Sequence, residues 1–404
     1  MCEVPHNNHY QNDIKNSLQL TRNILSLIGV WPNFDGKRSA CEKIKKFLRI
    51  SILNAILYFG LVPSTLYWIF EKRFFVRIRL IPLLIYGLMS LIKYYGLINQ
   101  EDHIKHCVKF LEEDWKYIDN AGARNAMLKF TRIGKRLAAI SAIFLYSSGL
   151  AFRTLIPLSR GKIVTPQNIT IRPLPYPTYF FSFDDQCNLI YYTLVYALHT
   201  LAGVIIMSIA TSIYGLIIAF VMHACGQLKI LVNLLEVFVE KEQQDGLEVN
   251  KKLGVIVEHQ IRIRSFLQLV ERTLHFMIFI EILGGTIIIC TVCYCILMEW
   301  ESSNSIAITS YFITFSTAVV NTFLFCYTGE QLITQTEKVA ITSCELEWYR
   351  LPDKKARGIV LVMIMSNMPM QITAGKIFVL SFKTFGDILK TAVTYFNMLR
   401  TVTN

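Results

Sequence analysis

Charged residues are scarce in this sequence, and the motifs of common soluble enzymes are missing. Only 17% of the residues are charged, whereas an ordinary soluble domain has about 25%. The chain contains no metal-spaced histidine cluster, no nucleophile elbow and no glycine-rich phosphate-binding loop. Its ten cysteines follow neither a disulfide framework nor a zinc pattern. The sequence therefore predicts no enzymatic activity, no metal site and no cofactor.

A cleavable signal peptide is also missing. The first residues are polar, and the short apolar stretch 18–30 is interrupted by Thr21, Arg22 and Asn23. A signal peptide needs a basic start and then an unbroken apolar region. We expect the first membrane span to act as its own signal.

Long apolar blocks are what the chain has instead. Hydrophobic residues make up 53% of it, and a helix needs about 20 of them in succession to cross a bilayer. Blocks bounded by charge predict six spans, at 47–70, 78–98, 137–158, 189–225, 274–298 and 306–327, with further apolar stretches at 358–370 and 377–402. The fourth block is too long for one straight crossing, so its helix is expected to tilt or to project beyond the membrane. This pattern predicts an all-α polytopic membrane protein.

The positive charge lies in the linkers between these blocks. The formal net charge of +12 would suit nucleic acid, but the segments 1–46, 99–136 and 226–273 hold 22 of the 41 lysines and arginines, while 299–305 has none. Cytoplasmic loops of membrane proteins carry such an excess. We therefore expect a cytoplasmic amino terminus and no nucleic-acid partner.

One sequence motif tests this orientation independently. The only glycosylation sequon starts at Asn168, between the third and fourth predicted spans. The charge distribution places that loop outside the cell. Asn168 is therefore predicted to be a glycosylation site.

The last apolar block has a polar stripe. At 100° per residue, one face carries Lys383, Asp387, Lys390, Thr394, Asn397 and Thr401. The other face carries Phe385, Leu389, Ala392, Phe396 and Leu399. Ionisable side chains at membrane depth normally face protein or water, so the stripe is either a seam against another helix or the lining of an aqueous path. Periodicity alone slightly favours the seam, because a pore needs several copies of the helix around an axis.

Short motifs at both ends of the chain resemble those of the insect odorant receptor family. Near the start stands Ile-Gly-Val-Trp-Pro at 28–32. Near the end, Trp-Tyr at 348–349 with Leu-Pro at 351–352 precedes Pro-Met-Gln-Ile-Thr-Ala-Gly-Lys at 369–376 and Thr-Tyr-Phe at 394–396. The order and the spacing of these motifs are similar to the family pattern. The resemblance spans the chain in length and span order, and the last sixty or so residues are its specific part.

The resemblance implies a seven-span subunit with a cytoplasmic amino terminus and an extracellular carboxyl terminus. Such a subunit assembles with odorant co-receptor subunits into a heterotetrameric, odorant-gated, non-selective cation channel in the plasma membrane of olfactory sensory neurons, with a volatile odorant and membrane lipid as further partners. Residues 1–46 would form a cytoplasmic segment, 47–327 a six-helix bundle with the odorant pocket, 328–376 cytoplasmic anchor helices, and 377–404 the pore-lining seventh span. The stretch 358–370 is then an anchor helix rather than an eighth span. The two interpretations of the polar stripe, as a seam and as a pore lining, also become compatible, because the last helix of each subunit would line the shared channel.

The resemblance also implies roles for single residues of the last helix. It places the pore face and the hydrophobic gate on Asp387, Lys390, Thr394, Asn397, Met398 and Val402. The last two are four residues apart and so lie on adjacent turns of one helix face. Apolar side chains at a constriction close a pore by dewetting. Met398 stands where the co-receptor is expected to have a smaller branched residue.

Two comparisons within the family favour the odour-tuning class. The linker 226–273 leaves no room for the cytoplasmic insertion that lengthens the co-receptor. Gustatory relatives end in a Thr-Tyr motif followed by a Gln-Phe pair, whereas here Thr394 and Tyr395 are followed by Arg400, Thr401 and Val402. A gustatory-receptor-like channel remains an alternative.

The odorant pocket is expected in the outer halves of the helices. Volatile ligands are small and mostly apolar, so their pocket needs aromatic and aliphatic walls with few polar groups. On the predicted topology the candidates are Leu83, Tyr86, Tyr146, Leu150, Tyr192, Tyr196, Tyr294, Tyr311, Phe312 and Phe315. Each is more often a packing residue than a ligand contact, since aromatic residues fill any helical core.

Two alternatives come from other functional classes. A G-protein-coupled receptor would need an outside amino terminus and an acidic-Arg-aromatic motif after the third span. That span ends in Ile-Pro-Leu-Ser-Arg at 156–160, and the charge distribution opposes the topology. A membrane enzyme or transporter would need the catalytic motifs that are missing, or an inverted pair of broken helices, which the sequence does not show.

Overall fold

The structure is a computed structural model that describes residues 7–34, 39–118, 120–161, 163–164, 170–171, 174–175, 177–179, 189–240, 246–301, 303–346 and 353–403. Within these ranges the chain forms ten helices: α1 (Tyr10–Leu27), α2 (Ala40–Phe70), α3 (Phe74–Asn99), α4 (Glu101–Lys116), α5 (Ala121–Arg160), α6 (Leu189–Glu240), α7 (Gly246–Glu301), α8 (Ser305–Cys344), α9 (Asp353–Asn367) and α10 (Phe382–Thr403). Two antiparallel hairpins pair β1 (Ile163–Val164) with β2 (Thr170–Ile171) and β3 (Thr373–Ala374) with β4 (Phe378–Val379). The fold is therefore nearly, rather than wholly, helical.

In the described part of the chain, six helices are long and apolar enough to cross a membrane, namely α2, α3, α5, α6, α7 and α8. They contain the six predicted spans, so the chain is a multi-pass membrane protein. We call the end of the bundle that carries the α2–α3, α5–α6 and α7–α8 connections the upper end, and the opposite end the lower end. At the lower end the helices run well beyond the apolar blocks. Helices α6 and α7, with 52 and 56 residues, are each about 80 Å long at 1.5 Å per residue, far more than a bilayer core of about 30 Å.

Helix α6 forms the centre of the bundle. It packs against α1, α2, α5, α7 and α8, and 83% of its most apolar stretch is buried inside the protein, against 22% for α2. Ile209, Leu216 and Phe220 have no exposed surface. A helix that is apolar on all sides needs an apolar environment, and for α6 the surrounding helices provide it.

Ionic contacts tie α4 to α6 and α7 at the lower end. Asp114 accepts hydrogen bonds from His223 Nε2 at 2.8 Å and from Arg262 Nε at 2.5 Å. Burial of Asp114 opposes its ionisation, but these two partners hold the pKa of the carboxyl below its ordinary value. The indole of Trp115 on the same helix is fully buried. These contacts fix α4 as part of the bundle.

The last predicted span begins later than the apolar pattern suggested. Residues 377–379 belong to the hairpin, because Gly375 and Lys376 adopt φ values of +60° and +62° that turn the chain between β3 and β4. Helix α10 therefore starts at Phe382 instead of 377. It is not among the six helices that are apolar enough to cross a membrane alone, since one of its faces is polar.

Candidate functional site

A cavity of about 330 Å³ lies at the upper end, between α2, α3, α5 and α8. We call it the upper cavity. Aliphatic and aromatic side chains line it together with two arginines: Tyr67, Arg73, Val76, Arg79, Leu80, Leu83, Phe152, Pro175, Pro177 and Tyr311. Small-molecule sites typically have volumes of about 300–1,000 Å³, so the upper cavity can hold one small ligand.

The inner wall of the upper cavity is aromatic and aliphatic. Tyr311 on α8 is only 3% exposed, and its ring meets that of Phe152 on α5 edge-on, with 6.2 Å between the ring centres. Leu83 contributes from α3. Edge-to-face pairs add about 0.5–1.5 kcal/mol to the burial of the rings. The wall thus presents a fixed apolar surface.

Charged side chains surround this wall in compensated pairs. Arg73 Nη2 lies 3.0 Å from Glu71 Oε2, and the Tyr67 hydroxyl donates to the same oxygen at 2.8 Å. Hydrogen bonds from Arg73 lower the pKa of Glu71 to about 2, so this carboxylate stays ionised near neutral pH. Arg79 pairs with Glu299 at 2.8 Å. Because each arginine has a carboxylate partner, little net charge remains to attract an anionic ligand.

Described residues of the connection between α5 and α6 border the upper cavity. Pro175 and Pro177 line it, and the N–H of Tyr179 donates to the carbonyl of Pro63 in α2 at 3.1 Å. The Tyr179 ring also lies 5.6 Å from that of Phe70. These contacts hold residues 177–179 over the upper end of the bundle.

A smaller polar cavity of about 10 Å³ lies deeper, between α3, α5, α6, α7 and α8. Lys93 donates to Glu281 Oε2, and the Tyr214 hydroxyl donates to Glu281 Oε1 at 2.7 Å. Tyr86 also lines this space. This cluster was not predicted from the sequence, although a lysine and a glutamate inside apolar spans were a usable signal, since ionisable residues at membrane depth commonly have a function.

The two faces of α10 have different environments. Ile388 and Ala392 are buried, and the Phe385 ring packs 5.5 Å from that of Phe323 on α8. The exposed residues include Lys383, Asp387, Lys390, Thr394, Asn397 and Thr401. The face division that periodicity predicted is therefore present, and the polar stripe points away from the helix's own bundle.

Comparison with known proteins identifies the family. The family model described as 7tm Odorant receptor matches residues 79–393, which is most of the chain. The chain belongs to this family. The match begins within α3 and ends within α10, so it includes Leu83, Phe152 and Tyr311 of the inner cavity wall and three of the six residues of the polar stripe.

Individual odorant receptors are similar to the chain over about two thirds of their length. Odorant receptor 13a of Drosophila melanogaster is 25% identical over 299 residues, which are 70% of this chain and 68% of that relative. Odorant receptor 22c of the same species is 24% identical over 275 residues, with 64% and 66% covered.

Two structures of the insect olfactory receptor OR5 from Machilis hrabei share the fold. The structure in complex with eugenol covers 98% of this chain and 100% of its own, with a TM-score of 0.81 at 15% sequence identity. A second structure of that receptor covers 97% and 99%, with a TM-score of 0.77 at 13% identity. At such identities the likeness establishes the architecture alone.

In this odorant receptor, three of the ten candidate pocket residues line a cavity. Leu83 and Tyr311 line the upper cavity, and Tyr86 lines the polar cavity. Leu150 and Phe312 are 52% and 59% exposed on the outer surface of the bundle. Helix rotation explains the difference, because residues one position apart on a helix point about 100° apart.

The other five candidates make packing contacts. The Tyr146 hydroxyl lies 2.8 Å from Ser208 Oγ. Tyr192 and Tyr196 stack with 6.0 Å between their ring centres. Tyr294 is almost fully buried in the core, and Phe315 is partly buried and packs against this core.

Several residues of the upper cavity were not predicted from the sequence. Val76 and Leu80 stand seven and three positions before Leu83, so all three lie on one face of α3. Helical spacing from Leu83 could have found them. Pro175 and Pro177 had no such signal, because they belong to an irregular connection.

The remaining predicted sites lie at or beyond the limits of the described structure. Asn168 lies outside the described residues. Met398, the first candidate gate residue, is exposed on α10. Val402 belongs to the same helix, but its side chain is outside the described part.

Proposed function

We propose that this odorant receptor is the odour-tuning subunit of a heterotetrameric, odorant-gated, non-selective cation channel that it forms with odorant co-receptor subunits. The observation that carries the proposal is the upper cavity, which is largely apolar and of ligand size, in a chain of the odorant receptor family. We place it in the plasma membrane of olfactory sensory neurons.

The upper cavity suits a small, neutral, largely apolar volatile. Its inner wall is formed by Leu83, Phe152 and Tyr311, while the arginines around it are already paired with carboxylates. A Machilis hrabei receptor of the same fold was solved with eugenol, which supports a small volatile ligand in this architecture. An apolar wall discriminates one methylene by about 1–3 kcal/mol, so selectivity would come from shape.

The proposed topology has a cytoplasmic amino terminus, so the upper end faces outward. The basic linkers and the sequon at Asn168 support it. In this arrangement residues 1–46 and 328–376 are cytoplasmic, 47–327 form the bundle, and α10 is the seventh span with an extracellular carboxyl terminus. A helix whose polar stripe points away from its own subunit needs water or another subunit beside it in a bilayer.

The proposed pore follows from this stripe. Asp387, Lys390, Thr394 and Asn397 would face the aqueous path, with Met398 and Val402 at a dewetted gate. Several copies of α10 around one axis would supply the full lining. The apolar face of α10 would meanwhile stay anchored on α7 and α8.

The test of function compares two adjacent residues of α8. Tyr311→Ala enlarges the upper cavity, whereas Phe312→Ala removes a side chain that is 59% exposed and outside the cavity. We expect Tyr311→Ala to shift half-maximal odorant concentrations by about tenfold or more, unequally between odorants, because it changes the differential affinity for closed and open states. Phe312→Ala should keep the odorant rank order.

The measurement is the odorant-evoked current of cells that express the chain with the odorant co-receptor. Surface labelling is used to compare variants at equal levels of the protein in the plasma membrane. Equal loss for every odorant in Tyr311→Ala would assign this residue to packing, and an equal effect of Phe312→Ala would remove the cavity from the proposal. Robust current from the chain alone, with the co-receptor shown to be absent, would contradict its role as a tuning subunit.

A further inference from the structure

A broad groove of about 800 Å³ lies at the lower end, between α1, the start of α2 and α4. Lys15 and Arg22 line it from α1, and Lys45, Lys46 and Arg49 line it from α2. We call this feature the basic groove. None of these side chains takes part in the upper cavity or the polar face of α10.

The charge of the basic groove is only partly compensated. Its five basic side chains face two acidic ones, Glu42 and Glu112. Lys46 pairs with Glu101 of α4. Within the described ranges, Lys15 and Lys45 have no carboxylate partner. The groove therefore presents an excess of positive charge.

Two of the basic side chains are held in place. Arg49 Nη1 donates to the carbonyl of Ser26 at 2.7 Å. Gly29 has φ +77°, and a Cβ built there would lie 3.0 Å from Arg49 Cδ, so the chain passes directly over the arginine stem. The Arg22 guanidinium lies 5.9 Å from the centre of the Trp31 ring. Side chains fixed in this way lose less entropy when they bind a ligand.

The basic groove opens where lipid-facing surface begins. Lys45 and Arg49 line the groove from α2, and the apolar side chains of Leu48 and Ile52, which lie beside them on the helix, are exposed. Trp31, an aromatic residue of the kind enriched at membrane interfaces, also lines the groove. This arrangement places the groove at the boundary between hydrocarbon and water.

We propose that the basic groove binds the phosphorylated headgroup of an anionic phospholipid, of the phosphoinositide type, in the cytoplasmic leaflet. The leaflet rests on the topology given under the proposed function. Lysine and arginine form charge-assisted hydrogen bonds with phosphate oxygens, and basic clusters on the cytoplasmic side of a span attract such lipids. A lipid is favoured over a soluble anion because its acyl chains can lie along the exposed side chains of Leu48 and Ile52 beside the groove.

The test uses the purified full-length chain in detergent and a tail-labelled short-chain phosphatidylinositol 4,5-bisphosphate, whose binding is followed by fluorescence anisotropy. We expect saturable binding that Lys15→Gln/Lys45→Gln weakens about 25-fold. Each basic side chain near an anionic surface contributes about 1 kcal/mol, and about 1.4 kcal/mol corresponds to a factor of ten. The control Lys43→Gln/Lys109→Gln removes the same charge from side chains that do not line the groove; because these cannot form charge-assisted hydrogen bonds with the bound headgroup, the control should weaken binding clearly less than the groove pair does.

Three further measurements decide whether the ligand is a lipid or a soluble anion, and whether the groove requires a phosphorylated headgroup. Labelled phosphatidylcholine should not bind, and inorganic phosphate should compete only weakly. Free inositol trisphosphate should compete more weakly than the unlabelled lipid; equal potency would make the ligand a soluble anion and overturn the proposal. Absence of saturable binding, or equal weakening by the control pair, would overturn it as well.

Folding of the variants is checked by size-exclusion chromatography. If Lys15→Gln/Lys45→Gln aggregates, Lys15→Arg/Lys45→Glu and Lys15→Arg/Lys45→Arg replace it, and only the first should lose binding; loss in both would overturn the proposal. The assay needs neither odorant nor co-receptor. A failure here would therefore leave the proposed channel function standing, and a failure of the current measurements would leave this binding result standing.

Discussion

Gly329 of α8 meets the segment that leads into α10, and its substitution tests how this helix is held. A Cβ at this position would lie 2.2 Å from the carbonyl oxygen and 2.4 Å from the Cβ of Leu380. Leu380 is fully buried, and its N–H donates to the carbonyl of Ile372 at 3.0 Å. Because backbone atoms cannot rotate away, Gly329→Ala must displace the hairpin segment by roughly 1 Å to restore an ordinary contact.

The expected magnitude follows from two opposing effects. Alanine is favoured over glycine in a helix interior by about 1 kcal/mol. Overpacking of a filled core costs about 1–3 kcal/mol, and here the clash is with backbone, which places Gly329→Ala at the upper end of that range. We therefore expect a net loss of about 1–2 kcal/mol of folding free energy. The matched control is Gly285→Ala, whose added Cβ would have Thr322 Oγ1 at 3.6 Å, an ordinary contact.

The assay is thermal unfolding of the full-length chain, followed by fluorescence-detected size-exclusion chromatography, together with odorant-evoked current at matched surface expression. Gly329→Ala should lower the melting temperature by roughly 2–4 °C per kcal/mol and reduce the current, because α10 shifts with the hairpin. Gly285→Ala should melt at or above the wild-type temperature. The reasoning is refuted if Gly329→Ala is as stable and as active as the wild type, or if both substitutions cause the same loss.

Four further outcomes are expected. Asp387→Asn should change the relative permeability of cations through channels formed with the co-receptor, because a charge that lines a water-filled path acts on passing ions; unchanged selectivity would assign the polar stripe to a subunit seam. Val402→Ser should hydrate the proposed gate and raise the leak current recorded without odorant, whereas an unchanged leak would remove this residue from the gate. Asn168→Gln should abolish any glycan-dependent mobility shift, while a sequon introduced near Lys129 should stay unmodified, and a glycan there would invert the topology. Asp114→Asn should lower the melting temperature by the equivalent of about 1–3 kcal/mol; since the folded pKa of this carboxyl lies below 3.8, the wild type should keep the contribution above about pH 4 and lose it only as the pH falls further.

The polar stripe of α10 was readable from the sequence because a helix face depends only on residues a few positions apart. Asp387 and Thr394 are exposed while Ala392 is buried, as the spacing predicted. The start of the helix was not readable in the same way. The turn at Gly375 and Lys376 divides an apolar block that hydropathy treats as continuous.

The lining of the upper cavity, in contrast to the polar stripe, depends on tertiary packing. Tyr311 and Phe312 are neighbours with similar side chains, yet one is 3% and the other 59% exposed. Their difference depends on how α8 is rotated against α5, which no local pattern specifies. The pair Lys93 and Glu281 likewise comes from helices far apart in the sequence.

The sequence by itself determined the membrane class, the six apolar spans, the two-faced last helix and, through its motifs, the family. Each of these properties depends on local composition or periodicity, because the length and the polarity of a single segment decide whether it can cross a bilayer and which of its faces is apolar. Only the tertiary structure decided that α6 is enclosed, which aromatic side chains line the upper cavity, and which carboxylates pair with Arg79 and Lys93. The physical reason is that a cavity is the space left between several packed helices, so its lining is set by many long-range contacts at once.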